Sequence, residues 1–94
     1  MANLEQAKTL VKAIVASQQV LIGPLAIETA NNVAGLQVSS RLEISIKGNE
    51  TRVLENLVKE YRGVFGLASV EVCKDAVRPF LPKMNDIELP GNLL

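Results

Sequence analysis

One cysteine, Cys73, two glutamates 43 positions apart, Glu28 and Glu71, and one amide set into an apolar stripe, Gln18, are the side chains here that invite a chemical reading. Histidine is missing altogether. Without imidazole there is no ordinary base titrating near neutral pH and no usual partner to activate a thiol or hydroxyl, and the commonest metal ligand is lost as well. Cys73 falls between Val70 and Val77 at helical spacing, which suits a small hydrophobe in a core. Glu28 and Glu71 each lie one turn inside an expected helix, where a carboxylate favours the helix dipole. The glycines form no phosphate-cradling pattern. The expectation is a non-enzymatic protein with no catalytic residue, no cofactor and no metal.

Gln18 is the exception to its surroundings. It sits on the apolar face made by Val11, Ile14 and Leu21, and a buried amide must find a partner. Two readings stand: a hydrogen bond to nearby backbone, or a polar contact that fixes the register between subunits.

The elements that must position these residues are helical for the most part. Asn3 with Gln6 resembles a capping box, and Leu4, Ala7, Leu10, Val11 and Ile14 repeat at helical spacing, predicting a helix over 4–22. Gly23 and Pro24 then form a hinge, because proline suits the first turn of a new helix and not the middle of an old one. A second helix is expected from Pro24 to Ala34 with Gly35 as its stop. Its Ala26, Ala30 and Ala34 make a ridge of small side chains. Val38, Ser40, Leu42, Ile44 and Ile46 alternate with more polar residues, predicting one half-buried strand. A third helix is expected over Glu50–Phe65, capped by Asn49, with Glu55 and Lys59 paired on its outer side and Gly66 as its stop. Ser69 is expected to cap a fourth helix bearing Val70, Cys73, Ala76, Val77 and Phe80. The division expected is a single helical domain over 1–84 and an extended tail over 85–94.

Charge excludes several classes. Ten basic residues balance ten acidic ones, and no local basic field exists for phosphate, so nucleic acid and anionic membrane surfaces are not expected partners. The polar residues between Ile14 and Leu36 interrupt any spanning segment. A lone cysteine and the absence of a secretory leader at the N-terminus give a cytoplasmic expectation.

Displaced by 43 residues, the sequence overlays itself: Leu10–Ala34 aligns with Val53–Val77, glycine on glycine at Gly23 and Gly66. The fold expected is therefore mostly α, two helix–glycine hinge–helix units joined by one strand that pairs across a dimer. Ile22-Gly23-Pro24-Leu25-Ala26 resembles the Val/Ile-Gly-Pro-x-Ala hinge of a short, uncharacterised helical unit found beside kinase and other signalling domains in bacteria, including cyanobacteria. The resemblance covers residues 10–36 and, more loosely, 53–78, where Leu67 replaces the proline. It implies a regulatory or assembly module.

The first forty residues carry only four charges, the composition of a buried contact, and a lone strand needs a ladder. Both point to a homodimer serving as a protein–protein interaction or assembly module. Its expected contact residues are Gln18, Ala26, Ala30, Val38, Leu42, Ile44 and Ile46, with Gly23, Pro24 and Gly66 as structural hinges. The alternatives are a helix-turn-helix DNA-binding regulator and a sensor of small apolar ligands.

Overall fold

The computed structural model describes residues 4–84 and 88–94, so Asn3 of the expected capping box and the first three residues of the expected tail lie outside the described residues. The chain is mostly helical with one small sheet. In order it forms α1 (Leu4–Ile22), α2 (Leu25–Ala30), β1 (Leu36–Val38), β2 (Ile44–Ile46), α3 (Glu50–Phe65) and α4 (Leu67–Val77). Two short 3-10 segments follow, Arg78–Lys83 and Gly91–Leu93.

The two long helices follow their periodicity. α1 buries Ala7, Leu10, Val11, Ile14, Val15 and Gln18, a stripe at spacings of three and four. α3 buries Val53, Leu54, Leu57, Val58 and Tyr61. The Asn49 side chain accepts the Arg52 N–H at 2.9 Å and caps α3. Glu55 and Lys59 pair on its outer side at 3.7 Å. These stripes meet in one aliphatic core, in which Tyr61 is the largest fully buried side chain.

Four sequence expectations change. α2 ends at Ala30, short of Ala34, because the Asn31 side chain binds the backbone of β1 instead. Its Nδ2 donates to the Val38 carbonyl at 2.9 Å, and its Oδ1 accepts the Val38 N–H at 2.8 Å. An asparagine that offers the backbone a second partner competes with helix continuation.

The single strand is a hairpin. β1 and β2 pair antiparallel with Leu36 opposite Ile46, Gln37 opposite Ser45 and Val38 opposite Ile44. The strand expected to pair across a dimer thus finds its first partner within its own chain. Between Ser39 and Glu43 the chain turns, closed by Ser39 N–H to Glu43 O at 3.0 Å and Leu42 N–H to Ser39 O at 2.9 Å. The Ser39 hydroxyl also accepts the N–H groups of Arg41 and Glu43. Leu42 takes the left-handed conformation at φ 59°, which costs a leucine about 1–2 kcal/mol and is offset by packing of its side chain on the core.

α4 starts at Leu67, so Ser69 is not its cap; it is buried, and its hydroxyl donates to the Gly66 carbonyl at 2.7 Å. The C-terminal segment folds back where an extended tail was expected. Thr51 donates to the Glu88 carbonyl at 2.6 Å, Asn92 Nδ2 donates to the Glu55 carbonyl at 3.0 Å, and Leu93 enters the core.

Candidate functional site

The centre of the molecule holds a small polar cluster contributed by four helices. Gln18 on α1 donates through Nε2 to the Ser69 carbonyl at 3.0 Å and to Cys73 Sγ at 3.4 Å, both on α4. Tyr61 on α3 donates its hydroxyl to the Ala26 carbonyl of α2 at 2.7 Å. Gln18 and Tyr61 stand 43 positions apart in the chain, and so do Ala26 and Ser69. Each helix pair therefore sends one side chain from its long helix to the same backbone position of the other pair. Burial follows the same offset: Leu10, Val11, Ile14, Val15, Gln18 and Ala26 are buried, and so are Val53, Leu54, Leu57, Val58, Tyr61 and Ser69.

Both titratable groups of this cluster are held in their neutral form. Burial pushes the Cys73 thiol up to about 11, and the Gln18 hydrogen bond only partly opposes that rise. Burial and the neighbouring Cys73 hold the Tyr61 hydroxyl well above its ordinary range. A thiol that stays protonated is a poor nucleophile. In native protein at pH 8, Cys73 is expected to react with a disulfide reagent at least roughly a hundredfold more slowly than in urea-unfolded chain. Equal rates, followed by release of the coloured thiolate, would contradict its burial. The signs are the same for stability. A folded-state pKa raised above the unfolded value leaves stability intact below pH 9, then drains it as pH climbs from 9 towards 11.

Glu28 and Glu71 do not form a pair of acids. Both are exposed, and Glu71 lies 3.7 Å from Lys74. Among the described residues no group of three potential metal ligands exists, and no helix is long and apolar enough to cross a membrane.

The expected contact residues divide into two sets. Gln18, Ala26, Ala30 and Val38 are buried inside the chain's own core, while Leu42, Ile44 and Ile46 are half-buried along the hairpin. Ala34, the third member of the small-residue ridge, is exposed. The apolar surface left to solvent lies elsewhere. Val20, Leu21, Leu25, Val64 and Leu67 are between 50 % and 85 % exposed and flank the two hinges in the chain, while Phe80 and Leu94 are exposed near the C-terminus. The hinges meet at one end of the molecule, where Leu21, Ile22, Phe65, Ala68 and Val72 line an open groove of about 280 Å³ with Gln18 and Ser69 at its floor. Gly23 and Gly66 both take positive φ, +64° and +86°, and Pro24 follows Gly23 in helical conformation. Only periodicity pointed towards this end in the sequence: Leu21 continues the α1 stripe past the point where the core can cover it. Compared with known proteins, the chain matches no family model, no curated protein and no solved structure.

Proposed function

We propose that the chain is a small non-enzymatic protein–protein interaction module that works as a homodimer and uses the apolar end at its two hinges as a docking surface for a protein partner. The observation that carries this reading is the exposure of Val20, Leu21, Leu25, Val64 and Leu67 beside the two hinges, with Leu21 joining Ile22, Phe65, Ala68 and Val72 in the lining of one open groove. Isolated surface leucines are ordinary, whereas several exposed aliphatic side chains beside one groove on a small domain mark a contact site. A regulatory or assembly role agrees with the resemblance of the 22–26 hinge to a unit that accompanies signalling domains. In this reading the two helix–glycine–helix units are duplicates arranged about a pseudo-two-fold axis, and the reciprocal bonds of Gln18 and Tyr61 are its signature.

The DNA-binding alternative lacks charge, since α2, Leu-Ala-Ile-Glu-Thr-Ala, offers no lysine or arginine to a phosphate or a guanine edge. The groove lends some support to an apolar-ligand sensor, but its open form and modest volume suit an inserted side chain better than an enclosed molecule.

A photo-crosslinking side chain placed in turn at Leu21, Leu67 and Lys12 tests the docking surface in the source cell. Lys12 is exposed on α1 away from the hinge. Discrete protein adducts are expected from positions 21 and 67 and not from 12. Absence of adducts, or the same adducts from all three, overturns the assignment.

A further inference from the structure

The hairpin has two outer edges, and they are not alike. Its ladder alternates, with Gly35 bonded to Lys47 and Ser39 to Glu43, so the N–H and C=O groups of residues 36, 38, 44 and 46 point outward. On the β1 side those groups are occupied: Leu36 N–H donates to the Val33 carbonyl, and both backbone groups of Val38 are held by Asn31. On the β2 side, among the described residues, no partner engages the outward groups of Ile44 and Ile46. An unpaired strand edge is a template for another strand.

The sequence around that edge is complementary to itself. We propose that β2 pairs antiparallel with β2 of a second copy about a two-fold axis at Ser45, joining two hairpins into a four-stranded sheet. In this register Ile44 faces Ile46 of the other copy, so the outward groups meet as two fully bonded pairs. Ser45 faces its own equivalent, and Glu43 faces Lys47 in both directions. A register shifted by one residue would set outward groups against inward ones and lose the bonds. The charge match places an acid opposite a base on the exposed face of the sheet, where cross-strand neighbours approach most closely. Inside one chain, Glu43 and Lys47 lie opposite the uncharged Ser39 and Gly35. Among the described residues neither makes an ion pair, so both charges can meet a partner without disturbing the hairpin. The occupant of this edge is a second copy, and the inference supplies the contact that the homodimer reading requires.

Sedimentation equilibrium at low salt, with circular dichroism to confirm folding, tests the register through a charge swap. Glu43→Lys alone and Lys47→Glu alone are each expected to weaken dimerisation about tenfold or more, because each creates two like-charge contacts. The double variant Glu43→Lys/Lys47→Glu is expected to return to within roughly threefold of the parent. Amide exchange of Ile44 and Ile46 in the unmodified chain is expected to slow as concentration rises. If the copies associate but the double variant shows no rescue and these amides exchange alike at all concentrations, the register is wrong while the homodimer stands. A chain that stays monomeric to millimolar concentration removes both, and leaves the hinge-end docking surface to its own crosslinking test.

Discussion

Replacing Gly35 by alanine is expected to lower the melting temperature by roughly 12–24 °C, taking a cost of about 3 kcal/mol and ~4–8 °C per kcal/mol for a domain of this size. Two independent penalties meet at this residue. Its φ of +83° lies where side chains are rarely tolerated, and an added Cβ would collide with the Lys47 carbonyl oxygen across the hairpin. That approach is close because Gly35 O accepts the Lys47 N–H at 2.7 Å, the bond that starts the ladder. Gly66 separates the two terms. It takes φ 86° and ψ −173°, a region nearly confined to glycine, yet nothing lies within 4 Å of a Cβ built there. Gly66→Ala is thus expected to show the backbone penalty alone, about 1–3 kcal/mol. Thermal melts of the two variants decide the matter. Equal losses would mean that the contact with Lys47 yields at little cost.

Tyr61→Ala is expected to destabilise the chain by about 3–5 kcal/mol, a loss that could unfold a marginal domain outright. The side chain is the largest in the core that is fully buried, and the void it leaves is lined by several helices that cannot all collapse inward. Tyr61→Phe isolates the hydroxyl. Its loss removes one hydrogen bond to the Ala26 carbonyl, at about 1 kcal/mol. Urea titrations of both variants read the difference directly. If phenylalanine costs as much as alanine, the bond between the helix pairs outweighs the packing, and the stability of the core has been misassigned.

The long helices were legible because several local signals agree on them. Asn49 caps α3, Val53 to Tyr61 keep one stripe, and Gly66 ends it. The hairpin was hidden by its own turn. Such three-residue turns usually advertise themselves with glycine at the left-handed position, but here that position is Leu42. An alternating pattern therefore ran unbroken through the corner. The early end of α2 had no signal in periodicity either, since it depends on the distant Val38 backbone that Asn31 engages.

The contact surface was legible in kind more than in place. Charge depletion over the first forty residues was real, yet the fold spends Ala26 and Ala30 on its own interior and turns Leu21 and Leu25 outward. Gln18 was the clearest anomaly in the sequence. Of its two readings the structure has the bond to backbone, at the Ser69 carbonyl, while neither foresaw that Tyr61 makes the matching bond in the opposite direction.

The amide of Asn31 has one more consequence. By standing in for a neighbouring strand at Val38 it seals one flank of the hairpin, so a sheet extended by self-recognition has a single growing side. On the proposed pairing, two molecules consume that side between them and leave sealed flanks facing outward. Growth then halts at a finite particle, and the same stickiness that joins a pair is kept from propagating into a fibre.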